Sequence, residues 1–195
     1  MKAKPSLYEK VEQFVIQAFT RAGNPKDILH SQRTVFWLER LEPDADETLR
    51  IAAVAHDIER AFRDPDLYRI IGTSPKGFRD PAFLKAHSEK GAEIIGNFLE
   101  KEKAPPEDVE CVKILVAGHE FEGSKEQNLI KDADSLSNFE THAQTFIELR
   151  AETFGKEKVR AKFDWMFNRI SSPEARKIAL PMYREATTAL ENRFR

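Results

Sequence analysis

The sequence predicts an all-α fold, and three observations carry that reading. Apolar residues recur at three- and four-residue spacing in nearly every segment. No run alternates apolar and polar residues as a half-buried strand would. Clusters of Pro, Gly and Asp cut the chain into helix-sized lengths. Without an internal repeat or a linker, residues 1–195 read as one helical bundle.

The elements follow in order. A first helix is expected at about 6–22, with Leu7, Val11, Phe14, Val15 and Phe19 as its apolar stripe and Gly23-Asn24-Pro25 as its end. A second, at about 26–41, contains His30 and stops before Pro43 and Asp44. The third, at about 46–62, is apolar on most sides ("LRIAAVAHDI") and so belongs at the centre of the bundle. Residues 63–80, "RDPDLYRIIGTSPKGFRD", read as a long irregular stretch, and loops of that length tend to be functional. Helix resumes at about 81–101 with Phe83, His87, Gly91, Ile94 and Phe98 on one face. "APPEDVE" starts another, carrying Val109, Val112, Val116 and His119. After "EGSKEQ" a long helix is expected from about Asn128 to Phe154. Two C-terminal helices fill 155–195, the last starting at Pro173 and kinked at Pro181. The aromatic "FDWMFNRI" in that tail reads as core, or as the face of a homodimer.

Composition sets limits on function. With 41% hydrophobic residues the chain can build a substantial core, and the 33% that are charged form its solvated shell. A net charge of −2 offers no global attraction to a nucleic-acid polymer or an anionic membrane. No apolar run approaches the roughly 20 residues a bilayer requires. "MKAKPSLYEKVEQF" has no signal-peptide core, so a cytoplasmic location is expected. The single cysteine, Cys111, excludes an internal disulfide and a multi-cysteine zinc site; it reads as a small buried hydrophobe.

The chemistry sits in the histidines. Of five, four occupy inward-facing positions on four separate expected helices: His30, His56, His87 and His119. One histidine on an apolar face is ordinarily a satisfied core residue. Four, with Asp57 beside one of them in "AAVAHDIER", form a ligand set for a divalent metal, and coordination offsets the cost of burying them.

In this order the residues resemble the HD-domain superfamily of metal-dependent phosphohydrolases. The matching segments are "HSQR" from His30, "HDIER" from His56, "KAHSEKGAEII" around His87, "VAGHE" around His119 and "KDADSLSNF" from Lys131. The match covers about residues 26–140. It implies an HD-type bundle with extra C-terminal helices, and one metal site made by His30, His56, Asp57 and Asp134. His87 and His119 match the added histidines of members that bind a second metal, with Asp57 as the bridge. Asp134 holds the family position in "A-D-x-L", and Asp132 is the runner-up. The ion or ions could be Mn, Mg, Co, Ni, Zn or Fe. Catalysis would fall to His56 and Asp57 with their metal-activated water. The branch that hydrolyses ppGpp carries a Glu-Asp pair just beyond the doublet; this chain departs from it with Glu59-Arg60-Ala61.

The implied activity is hydrolysis of a small phosphomonoester or phosphodiester, nucleotide-like, with cations near the site to receive its phosphate. Arg33 and Arg60, each one turn from a histidine, could do so or could pair internally, and Asn138 matches a polar position of the nucleotide-hydrolysing branch. Lys131 and Lys85 read as solvated charge. Tyr68, Lys76, Phe78 or Arg79 of the 63–80 stretch could reach the substrate. His142, about 12 Å along the helix from Asp134, stands too far to share its ion. Two alternatives stay open: a non-catalytic metal-binding or sensor module, and a di-iron oxygenase on the same ligands.

Overall fold

Side-chain caps set most of the helix starts in the computed structural model, which describes residues 4–194. Ser6 and Glu9 form a reciprocal capping box at the start of α1 (Leu7–Arg21). Pro25 opens α2 (Pro25–Leu41), and Asp46 accepts from the Leu49 N–H to start α3 (Glu47–Ala55). Asp64 with Pro65 opens α4 (Pro65–Thr73), and Asp80 with Pro81 opens α5 (Pro81–Lys101). α6 (Pro106–Gly118) begins with Pro106, and α7 (Lys125–Thr141) has a second capping box from Ser124 and Gln127. Two short turns, α8 (Ala143–Thr145) and α9 (Ala151–Phe154), flank a π-helical stretch, Phe146–Arg150. α10 (Lys156–Asn168) and α11 (Pro173–Arg193) end the fold. The described residues contain no strand, as the sequence predicts.

Three boundaries differ from the sequence expectation. The third helix stops at Ala55, seven residues early, because the His56 imidazole takes the Ala53 carbonyl (2.8 Å). A 3-10 turn, Ile58–Ala61, follows. The 63–80 stretch contains α4 and a further 3-10 turn, Gly77–Arg79, rather than a continuous loop. Its start was encoded in "DPD", an N-cap followed by a first-turn proline. The long helix expected to Phe154 is broken at His142, after Thr141 turns its hydroxyl back onto the Ser137 carbonyl (2.7 Å). α11 remains helical through Pro181.

Helix α3 is the hub. Leu49, Ile51, Ala52, Ala53, Val54 and Ala55 are all buried, and α1, α2, α6 and α7 pack around them. Small alanines let the surrounding helices approach, while Phe19, Leu38, Ile95, Leu99 and Val112 fill the space between. A second cluster joins the end of α7 to α10 and α11 through Phe139, Phe163, Met166 and Leu190, so much of "FDWMFNRI" is core. A third seats α4 on α5 through Leu67, Ile71, Phe83 and Leu84. Gly155 turns the chain into α10 at φ +91°, a region that L side chains rarely adopt.

Cys111 and Lys131 depart from expectation. Cys111 is exposed, because Val109, Val112, Leu115 and Val116 take the inward face of α6. Lys131 is buried and donates to Asn128 Oδ1 (2.8 Å) rather than to solvent. The C-terminal helices are tied down by Asp132, whose two carboxylate oxygens accept from the Ser171 and Ser172 N–H groups (2.8 and 2.7 Å). That role occupies the runner-up aspartate. Replacing Asp132 with Ala should therefore cost about 1–3 kcal/mol of stability in a urea titration and leave bound-metal content unchanged. Lost metal at unchanged stability would instead make it a ligand.

Candidate metal centre

The C-terminal ends of two helices and the bodies of three others deliver the candidate ligands to one buried point. His30 comes from α2, His56 and Asp57 from the turn that ends α3, His87 from α5, His119 from the end of α6 and Asp134 from α7. All six are buried. His30 Nε2 lies 3.3 Å from Asp57 Oδ2 and 3.1 Å from Asp134 Oδ1. His56 Nε2 lies 3.3 Å and 3.6 Å from the same two atoms, and 3.2 Å from His30 Nε2. Metal–ligand bonds of about 2.0–2.2 Å separate neighbouring donors by roughly 3.0–3.5 Å, so these residues fit one ion. On the other side of Asp57, Oδ1 faces His87 Nε2 at 2.9 Å and His119 Nε2 at 3.9 Å, a second group able to hold a metal.

The tautomers point the same way. His56 and His119 each place Nδ1 on a main-chain carbonyl, of Ala53 (2.8 Å) and Val116 (2.7 Å). Carbonyls only accept, so Nδ1 carries the proton in both. Ser137 donates its hydroxyl proton to the His30 carbonyl (2.8 Å) and therefore accepts from His30 Nδ1 (2.8 Å). Glu59 Oε2 accepts from His87 Nδ1 (2.7 Å). In each neutral imidazole the Nε2 lone pair is thus turned toward the carboxylates. His119 Nε2 is buried without any hydrogen bond. Lone pairs facing anions repel unless a cation stands between them, and outer acceptors of this kind are what orient metal-binding histidines.

Electrostatics repeats the message. Burial alone would depress His56 and His87, yet the surrounding carboxylates outweigh it and hold them at about 10 and about 9. Asp57 lies well below the usual carboxylate range: burial opposes this, but Arg60 and His56 prevail. Asp134 is likewise held down by Arg169 and His30 against its burial. His119 falls to about 4, because burial, aided by His56 and His87, outweighs the pull of Glu120 and Asp57.

The flanking residues divide. Arg60 Nη1 stands 2.8 Å from Asp57 Oδ2 and 3.6 Å from Asp27, so it pairs internally and also walls the adjacent cavity. Asn138 lines that cavity with its buried Oδ1 unpartnered. Arg33 does not reach the site. Its Nε bonds Glu140 (2.8 Å) and its guanidinium lies over Phe36, because Glu140 and Trp37 draw it along the outer side of α2. Tyr68 and Phe78 line the cavity, whereas Lys76 and Arg79 do not, and Lys85 pairs with Glu89 away from it. His142 also lines it, edge-on to His30, with Nε2 3.3 Å from Asp27.

Sequence reasoning missed several participants. Arg169, at the end of α10, binds both Asp134 and Glu120, with its Nε on Ser135 (3.0 Å). Lys162 of the same helix is buried at the cavity, and burial lowers it to about 8. Ser137 could have been found, one helical turn beyond Asp134. Arg169 could not, as nothing local marks it.

Compared with known families, residues 12–191 match the domain of unknown function DUF4202, and the chain belongs to that family. The match runs from α1 into α11, so α10 and its Arg169 lie within the family's domain. No curated protein and no solved structure matches the chain. Among the described residues, no helix is long and apolar enough to cross a membrane.

The raised histidines set a pH dependence. A histidine held above its unfolded value of 6.5 stabilises fully below pH 6.5 and stops doing so as pH climbs through its folded value. Chelator-treated protein should therefore lose thermal stability from about pH 6.5 to 9–10, while the Tm gain on adding Mn²⁺ grows over the same interval. A metal-induced gain that shrinks with rising pH would contradict the tautomer assignment.

Proposed function

We propose that this chain is a metal-dependent phosphohydrolase of the HD type, acting on a small phosphate ester. The observation that carries the reading is the common tautomer of four histidines, each presenting Nε2 to Asp57 or Asp134. The order of ligands along the chain supports it, as does a cavity of about 360 Å³ beside them. A purely structural ion has no use for such a cavity walled by Arg60 and Lys162.

His30, His56, Asp57 and Asp134 would hold one ion, and Asp57, His87 and His119 a second. When bound, the metal supplies a water activated at neutral pH and an electrophile for a phosphoryl oxygen. The remaining work belongs to the chain. Arg60 is fixed by Asp57 and Asp27 at the cavity wall, where its other N–H groups can receive phosphoryl oxygens. Asn138 Oδ1 can accept a hydrogen bond from a water or a substrate hydroxyl, which satisfies its buried oxygen. Lys162, at about 8, keeps its proton at neutral pH and adds positive charge to the cavity wall.

The test is turnover of phosphomonoesters and phosphodiesters by protein supplemented in turn with Mn, Co, Mg and Ni. Asp57→Ala should keep its helical circular dichroism, lose metal, and reduce kcat/KM by more than the roughly 10–100-fold typical of an outer-shell change. Wild-type turnover by that variant would overturn the mechanism. Bound iron with oxygen consumption and no ester hydrolysis would replace it with an oxygenase.

A further inference from the structure

The cavity beside the metal centre holds more positive charge than one phosphate requires. Its two acidic residues are already committed: Asp27 to His142 and Arg60, Glu120 to Arg169. Its cations are mostly not. Lys162 lies over the Trp165 ring (4.4 Å) and interacts electrostatically with Glu120, so it is partly committed. At the mouth, Lys26, Arg63 and Arg150 are exposed and have no carboxylate partner among the described residues. Lys26 Nζ rests on the Thr145 hydroxyl (2.5 Å), and Arg63 lies over the Tyr68 ring with its Nε on the Arg60 carbonyl (3.3 Å). The Arg150 side chain, in the π-helical stretch, has no hydrogen bond to any described residue.

Arg60 and the three exposed cations differ in what they are tied to. Arg60 contacts Asp57 and is in place for the group that reacts. The three at the mouth come from the first turn of α2, the residue after the Phe62 cap and the π-helical stretch, and contact no candidate metal ligand. The same cavity is lined by Phe83, Ile71, Phe78 and Phe146, an apolar surface that offers nothing to an anion. The first turn of α2 adds the positive end of its helix dipole to the mouth.

We propose that Lys26, Arg63 and Arg150 form a distal anion subsite, so that the substrate carries a second anionic group separated from the reacting phosphate by an apolar or planar spacer. This rests on the phosphohydrolase reading for the end at which chemistry occurs, and not for the existence of the subsite. Phosphate and carboxylate share the required chemistry, a multidentate anion for two guanidiniums and an ammonium. Each such charge-assisted contact contributes enough to tighten binding about ten- to a hundredfold.

Calorimetric titration of Mn²⁺-supplemented protein tests this without turnover. The probes are propane- to hexane-diyl bisphosphates, the matching alkyl monophosphates, and the matching ω-phosphorylated carboxylic acids. At least one spacer length should bind about tenfold or more tightly as the bisphosphate than as the monophosphate. Arg63→Gln/Arg150→Gln should bring that bisphosphate down to the affinity of its monophosphate, with metal content retained. Lys85→Gln, outside the cavity, should preserve the ratio. If only the carboxylate series gains, the second group is a carboxylate; if only the bisphosphates gain, it is a phosphate. Equal affinity of one- and two-anion probes at every length, or a preference that survives the double substitution, would overturn the subsite. A retained preference in wild type without hydrolysis of any ester would remove the phosphohydrolase reading and leave the subsite standing.

Discussion

Everything in this molecule is arranged around one unfavourable convergence: two carboxylates and four imidazole lone pairs buried within a few ångströms of each other. Without a cation that arrangement has to recruit charge, and the structure shows it doing so. Arg60 leans on Asp57, Arg169 on Asp134, and His56 and His87 are held in their proton-binding range. A divalent ion would relieve the same field more directly, because it neutralises two carboxylates while using the lone pairs that protons would otherwise occupy. The centre and its guanidiniums are therefore coupled: each positive group in place lowers the need for another.

The bundle solves a geometric problem for this centre. Ligands on separate helices have to meet, and a helix presents only one residue per turn to any given line. Ending α3 at Ala55 and α6 at Gly118 frees His56, Asp57 and His119 from that restriction. The carbonyls of Ala53 and Val116, released near those ends, then accept from the two imidazoles. Helix termination and histidine orientation are one event seen from two sides. The apolar hub of α3 keeps the backbone beneath it from shifting, which is how a site on turns can be held as firmly as one on helices.

Much of this was legible in the sequence, and what was not has physical reasons. The all-helical architecture follows from periodicity, and the start of α5 at Pro81 follows from its Asp-Pro signature. The convergence of the histidines was readable because burial of four imidazoles demands a common explanation. The break after Ala55 was hidden, since "AAVAHDIER" has uninterrupted helical propensity and the stop comes from a side chain competing for a carbonyl. Arg33 misled for a related reason. Its spacing from His30 is right, but the nearest carboxylate, Glu140, comes from 107 residues away and wins it. Arg169 and Lys162 were invisible because their roles exist only after α10 has docked, through apolar contacts that say nothing of charge.

The residues that balance the candidate centre follow its ligands along the chain. Every candidate ligand has been synthesised once residue 134 leaves the ribosome, yet the guanidinium that neutralises Asp134 and Glu120 arrives 35 residues later. Until then the nascent chain holds a ligand set with an uncompensated negative flank, and its Asp132 has no main-chain partners to receive. The segment that carries the ligands depends on α10 and the turn before α11 for its charge balance.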